Sequence, residues 1–351
     1  MSPAFFIRIV GSDLVLWDYK RHRQYEIGLP HLSRILDLTR GEQVTDSQID
    51  LDIINSKIMD DADPSEWGWD CLSRIFHVGT QVVNSAGFDG GSITSSSAEY
   101  LAFCESLSDK IPELLIERVG PRLPLPHPSN TKNNKPFIDV LMERQTCRAF
   151  TGKPLTIDEV STALWLTFGN VHGNDRNDLQ ALGLAPVGYR KTSPSGGSLH
   201  PSEPYVIIIN VTGVPSGIYH YAGHKHELTR LGNEVRPQEL ARLLCQQDFA
   251  SDLAFGIFIS TRFDKMWWKY PHSRAYRVAL LDIGCLIQTF QMVCASLDVQ
   301  SWPTGYFLDQ EVNSLLGLNE SIESSMFFLG GGIGEGAVDR ETLNLVMQRN
   351  K

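Results

Sequence analysis

At 351 residues the chain is long enough for two domains, one with a sizeable core, and its 42% hydrophobic and 21% charged residues are ordinary for a soluble globular protein. A net charge of −10 excludes a general basic footprint for nucleic acid. No run reads as approaching the roughly 20 apolar residues of a membrane span, and Met1-Ser-Pro-Ala-Phe-Phe6 lacks a secretory start, so a cytoplasmic protein with neither membrane nor nucleic-acid partner is expected.

Three strand-like runs open the chain, Phe5–Val10, Leu14–Tyr19 and Gln24–Ile27, separated by Gly11-Ser-Asp13 and the basic turn Lys20-Arg-His-Arg23. Helical periodicity follows at Leu32–Leu38, Ser47–Met59 and Cys71–Val78. Three strands followed by three short helices predict a small winged-helix-like α/β domain over residues 1–88. Asp46, Asp50, Asp52, Asp60, Asp61 and Asp63 would repel phosphates across its second helix, which argues against DNA. Asp89–Ser97 reads as a flexible connection, a helix is expected over Ala98–Leu107, and the five prolines of Pro121–Pro136 read as irregular, so 89–136 is a helix and linker.

The second domain, 137–351, begins with a helix over Phe137–Glu143 that delivers Arg144-Gln-Thr-Cys-Arg148. Two guanidiniums and a hydroxyl within five residues suit a phosphate, because arginine presents forked donors that match phosphate oxygens. Thr156 and Glu159 have capping-box spacing and open a helix through Leu166. The loop Lys191-Thr-Ser-Pro-Ser-Gly-Gly-Ser-Leu-His-Pro201 then runs into an apolar strand over Tyr205–Asn210, so backbone can approach a flat ligand at the strand entrance. Strands follow at Gly217–Tyr221 and Ala254–Thr261, an apolar central helix at Ala275–Leu297, and a last strand at Ser325–Leu329. It ends in Gly330–Gly334, which either lines a cofactor or merely closes the strand. Interleaved strands and helices give the α+β class. The six scattered cysteines read as reduced, buried thiols with no metal site; Cys147, between Thr146 and Arg148, is the one held open for chemistry.

Four motifs over 139–334 resemble the nitroreductase superfamily, and within it the SagB/ThcOx-type dehydrogenases that oxidise azoline rings in ribosomal peptides. They are Arg144-Gln-Thr-Cys-Arg148, with Thr for the usual Ser; Arg190 through Tyr205, including Pro194-Ser-Gly-Gly197; Gly217-Ile-Tyr-His-Tyr221; and Lys269-Tyr-Pro-His-Ser-Arg-Ala-Tyr-Arg277. The resemblance implies a nitroreductase-like fold, with a central sheet wrapped by helices, binding FMN in a homodimer. Arg144, Thr146 and Arg148 would hold the phosphate, Pro194, Ser195, Gly196 and Gly197 would line the ring, Gln288 would reach the ribityl or ring, and Gly331 would lie below. Cys285 and Thr289 stand where the family has histidine and asparagine, which puts the substrate, more than the flavin, in question.

Lys269 and Tyr270 occupy the positions of the family's catalytic pair. A free lysine titrates near about 10.4, so it needs burial or the charges of Arg262, Lys265, Arg274 and Arg277 to act as a base. The bland alternative is a solvated cation on a tryptophan-rich segment. Trp267 and Trp268 are either core, slightly favoured, or a wall for substrate. The run Leu29–Gly79, with Ile35-Leu-Asp-Leu38 followed by Gly41, is similar to PqqD-like recognition elements, which implies leader-peptide binding by strand addition at Gln24–Ile27. Tyr25 and Ile27 there, and Trp268 in the second domain, are the expected substrate contacts. The expected partners are a leader-bearing precursor peptide and a cyclodehydratase or other maturation enzyme. Two other readings stand beside this one: an NAD(P)H-dependent nitro- or quinone reductase, and a flavin-free scaffold recruiting a precursor.

Overall fold

A computed structural model describes residues 4–60, 67–82, 102–103, 105–107, 111–128, 135–172, 181, 190–232, 234–338 and 340–349. The chain forms two compact units, Met1–Ile93 with His272–Arg274, and Thr94–Pro271 with Ala275–Lys351. The connection expected at Asp89–Ser97, half of the helix expected over Ala98–Leu107, Asp61, Asp63 and Cys104 lie outside the described residues.

In the first unit β1 (Phe5–Val10), β2 (Asp13–Asp18) and β3 (Arg23–Ile27) form an antiparallel sheet in that order, followed by helices Leu29–Thr39, Gln48–Ser56 and Cys71–Gly79. The period-two alternation decides the packing. Leu16 faces Ile35 and Ile53 of the first two helices and Ile58 just beyond the second, with Phe5, Tyr25 and Ile27 around them. Its neighbours Trp17 and Tyr19 face the opposite side with Phe6, Ile75 and Val78. Ser47 and Asp70 cap the second and third helices by accepting the backbone N–H of Asp50 and Ser73. Asp50, one of the carboxylates expected to repel phosphates, is instead fully buried, and Arg34 Nε donates to it at 2.6 Å. The Arg34 hydrogen bond is the main cause holding the Asp50 carboxyl far below the usual carboxylate range.

The second unit adds β4 (Arg122–Pro124), β5 (Leu155–Thr156), β6 (Ser202–Ile208), β7 (Val211–Thr212), β8 (Gly217–Ala222), β9 (Glu227–Gly232), β10 (Phe255–Arg262), β11 (Gln300–Thr304) and β12 (Glu323–Gly332). Seven of these form one sheet in the order β11-β12-β10-β6-β8-β9-β4, and every neighbouring pair is antiparallel. One face, Val206, Ile208, Ile257 and Ile259, packs on Ile283, Leu286 and Phe290 of the helix Arg274–Ser296. The other, Tyr205, Ile207, Phe258 and Phe328, is covered by Leu240, Leu243 and Val312. Helix Ile157–Phe168 starts with the expected capping box: Thr156 N–H donates to Glu159 at 2.7 Å, and Glu159 N–H to the Thr156 hydroxyl at 3.3 Å.

Two expectations are corrected. The Pro121–Pro136 run is not wholly irregular, because Arg122–Pro124 pairs with β9 as an outer strand, where a proline does not interrupt a ladder. And Arg274–Ser296, with a mean hydropathy of 1.7 over its most apolar window, is by length and composition long and apolar enough to cross a membrane. It carries Asp282 and sends Ile283, Leu286, Phe290 and Cys294 into the main core.

Candidate active site

The helix Phe137–Glu143 ends at Arg144, whose backbone leaves the helical region at φ −56°, ψ 116°. The chain beyond is held as an extended strip: Cys147 N–H donates to Ser301 O at 2.9 Å and Arg148 N–H to Gly336 O at 3.1 Å. Cys147 is buried against Gly334, as its core-packing alternative expects. Arg144 and Thr146 are half-buried and Arg148 is exposed, and among the described residues neither arginine forms an ion pair. Arg148 Nη1 lies 3.5 Å from Ala337 O.

The loop before β6 is fixed from two sides. On one, Asp282 of the long helix accepts from the Ser195 hydroxyl at 2.6 Å and from Gly196 N–H at 3.1 Å. Ser195 Oγ in turn accepts from His200 N–H at 2.9 Å. Burial raises the Asp282 carboxyl above the usual range, opposed by these two hydrogen bonds. A β-carbon on Gly196 would strike Val278, so only glycine lets the loop lie this close to the helix.

On the other side stands helix Phe263–Lys269. Lys265 and Lys269, four residues apart and therefore on one face, are both buried. Lys265 Nζ donates to His200 O at 2.9 Å, and Lys269 Nζ lies 3.4 Å from Gly197 O. Gly197 has φ +62°, and the Tyr270 hydroxyl occupies the space a β-carbon there would need. Leu199, Met266, Ala275 and Ala279 form a satellite core that locks this arrangement. The glycine loop and the Lys269–Tyr270 pair, 72 residues apart, are thus brought into contact.

Ser193 extends the loop's attachment: its hydroxyl lies 2.7 Å from Thr289 Oγ1 and 3.5 Å from Cys285 O. The two positions that depart from the family pattern therefore contact the loop. Gln288 is exposed on the same helix.

Other expected residues lie elsewhere. Gly331 is buried in β12 with the Phe255 ring where a β-carbon would be. Trp268 packs in the satellite core and its Nε1 donates to Leu107 O at 3.3 Å, whereas Trp267 is exposed and not core. Tyr25 and Ile27 pack within the first unit's own core. Arg262, expected to bear on Lys269, is engaged by Asp264, to which its Nε donates at 2.7 Å. Of the described cysteines Cys147 and Cys294 are buried, Cys71 is exposed, and none is paired. Sequence reasoning missed Asp282 as the loop's anchor; the available signal was that it is the lone charged residue between Val278 and Ser296.

Residues 141–332 match the nitroreductase family, and with more than half of its length in that match the chain belongs to the family. The nitroreductase-like protein MJ1384 of Methanocaldococcus jannaschii is 28% identical over 182 residues, covering 52% of this chain and 84% of that protein. The trifolitoxin-processing protein TfxB of Rhizobium leguminosarum bv. trifolii is 28% identical over 141 residues, which is 39% of this chain and 38% of TfxB. A nitroreductase-like crystal structure from Anabaena variabilis superposes with a TM-score of 0.54 at 21% identity, over 78% of this chain and 50% of that one, a likeness of fold.

Proposed function

We propose that the protein is a cytoplasmic FMN-dependent dehydrogenase of ribosomal peptide maturation that oxidises an azoline ring to an azole, or desaturates a residue, in a leader-bearing precursor. The observation that carries this reading is the contact of Gly197 with Lys269 and Tyr270, a proton-handling pair set against a backbone with no side chain in the way. Its similarity to a trifolitoxin-processing protein supports a peptide as substrate.

The residues present fit a flavin: a loop stripped of side chains at Gly196–Gly197, and two arginines with a hydroxyl free of acidic partners among the described residues. In this reading Arg144, Thr146 and Arg148 hold the phosphate, Pro194 to Gly197 face the ring, and Gln288, six residues and about 9 Å along the helix from Asp282, reaches the ribityl chain. FMN when bound supplies a two-electron acceptor for hydride. Lys269 takes the proton from the carbon α to the ring's exocyclic carbonyl while hydride leaves the neighbouring carbon, and Tyr270 hydrogen-bonds the ring nitrogen. Asp282 holds the loop in register with both.

A second copy of the chain would cover apolar side chains that this unit leaves exposed, Leu281 at 69%, Ile138 at 66% and Met142 at 82%, so a homodimer is part of the proposal. The first unit would present the open edge of β3 to the leader, and a cyclodehydratase would supply the azoline.

The test is single-turnover reduction of the bound flavin by an azoline peptide. Lys269→Ala should retain the flavin and slow this step by about 10²–10⁴-fold, the usual contribution of a general base. An unchanged rate would place the base elsewhere, and rapid reduction by NADPH with none by peptide would favour a nitro- or quinone reductase.

A further inference from the structure

One buried polar cluster takes no part in that chemistry. A cavity in the second unit is lined by Lys191, His200, Glu203, His220, Tyr221 and Lys265, and it shares Lys191 and His200 with a second cavity lined by Pro194, Ser195 and Asp282. Its contents are therefore separated from the candidate active site by a single wall of the loop. Lys265 also stands one helical turn before Lys269.

The charges around this cavity are incompletely matched. Glu203 makes one ion pair among the described residues, with His220 Nε2 at 3.1 Å. Lys265 spends two of its three N–H groups on Leu114 O and His200 O, at 3.1 and 2.9 Å. Lys191 is half-buried, and among the described residues its ammonium has no hydrogen-bond or ion-pair partner. His220 is 1% exposed, and its Nδ1 also lacks a partner there. Burial brings the Lys191 ammonium down to about 8, with the Glu203 charge opposing and the Lys265 charge adding. Burial likewise lowers Lys265. Burial pushes Glu203 up, but the hydrogen bond from His220 and the nearby lysine charges outweigh it and hold the carboxyl at about 2.

An anion between the two lysines would supply the acceptor that Lys191 lacks among the described residues and a third for Lys265, which an ammonium with three N–H groups can use. Two ammoniums against one carboxylate leave an excess of positive charge that an anion balances, and the anionic group an unmodified peptide carries is a carboxylate.

We propose that this cavity binds a carboxylate carried by the substrate, with Lys191 and Lys265 as its donors and Glu203 opposing them. It rests on the peptide-oxidising reading and would make the enzyme selective for an acidic side chain, or a peptide C-terminus, near the oxidised ring. Both sources present the same group.

Calorimetric titration of the full-length, flavin-loaded protein distinguishes them. The probes are N-acetylglycine for a C-terminus, N-acetylaspartyl methylamide for a side chain, and N-acetylglycine methylamide as neutral control. At least one carboxylate should bind saturably, and the neutral amide should not. Lys191→Gln should weaken carboxylate binding about tenfold or more, as expected for loss of a charge-assisted contact, and Lys191→Arg should retain it. Glu203→Gln should tighten it. Flavin content is read in the same samples, so a colourless protein that still binds carboxylate removes the flavoenzyme reading alone. No carboxylate binding by the wild-type protein, equal binding by Lys191→Gln, or equal binding of the neutral amide would overturn the site.

Discussion

The Tyr270 hydroxyl occupies the place that a β-carbon on Gly197 would take, and Lys269 Nζ lies 3.1 Å from the same point. Gly197 also has φ +62°, a conformation that costs a residue with a side chain about 1–2 kcal/mol. Gly197→Ala therefore strains the loop and displaces the pair at once. The expected result is a folded, yellow protein whose flavin is reduced about 10²-fold more slowly by peptide, the loss typical of an ångström-scale misplacement. A wild-type reduction rate in this variant would mean that the contact is incidental to the chemistry.

Asp282 provides the pH-dependent part of the loop's support. Its carboxyl sits above the usual range because it is buried, so the folded state holds this proton more tightly than the unfolded chain does. By linkage its ionisation costs stability as pH rises from the ordinary aspartate value through the raised one; below the ordinary value that cost is absent. Protonation, however, turns an acceptor of two donors into a donor on one side, and the Ser195–Gly196 attachment loosens. Flavin release on acidification should accordingly begin above the ordinary carboxylate range in the wild type. In Asp282→Asn that step should disappear from a titration of flavin fluorescence, and Asp282→Ala, which strands two donors, should lose about 1.5–3 kcal/mol of stability.

Most of this fold was legible because its determinants are local. Runs of β-branched and aromatic residues at Phe5–Val10 and Tyr205–Ile208, the Thr156–Glu159 capping box and the apolar run of the long helix each mark an element without reference to the rest of the chain. Strands β9 and β11 were missed because Glu227–Gly232 mixes charge into its alternation and Gln300–Thr304 contains a proline, and both depend on the neighbours they pair with. The site was legible as residue types. Its joints were not: that Lys265 would be spent on carbonyls, that Arg262 would be taken by Asp264, and that Thr289 would meet Ser193 all depend on contacts across 2 to 96 residues that no spacing encodes.

The phosphate assignment is tested at Arg148, which is exposed and contributes little to the core. Arg148→Ala should leave the melting temperature of flavin-free protein nearly unchanged and weaken FMN, with the loss of a charge-assisted hydrogen bond worth about 1.5–3 kcal/mol, or roughly 10–100-fold in Kd. Riboflavin, which lacks the phosphate, should bind both proteins equally. Equal FMN affinity in the variant and the wild type would remove Arg148 from the cofactor site.

The first unit makes a separable prediction, because β3 is an outer strand of its sheet and Tyr25 and Ile27 are turned into that unit's own core. What β3 has to offer a leader is its backbone edge, so recognition should depend on strand pairing and on nearby charge more than on those two side chains. Arg21 of the basic turn is tied to the buried Asp18 at 3.0 Å, and Lys20 and Arg23 are exposed on the same turn. Reversing both, Lys20→Glu with Arg23→Glu, should raise KM for the full precursor several-fold at low salt, with the difference shrinking as salt screens surface charge. Deleting residues 1–80 should raise that KM further. In both variants kcat on a short leaderless substrate should stay unchanged, because binding energy that is equal in ground and transition states does not alter the chemical step. A precursor KM indifferent to both changes would leave the N-terminal unit as a stability or assembly element and remove it from substrate recognition.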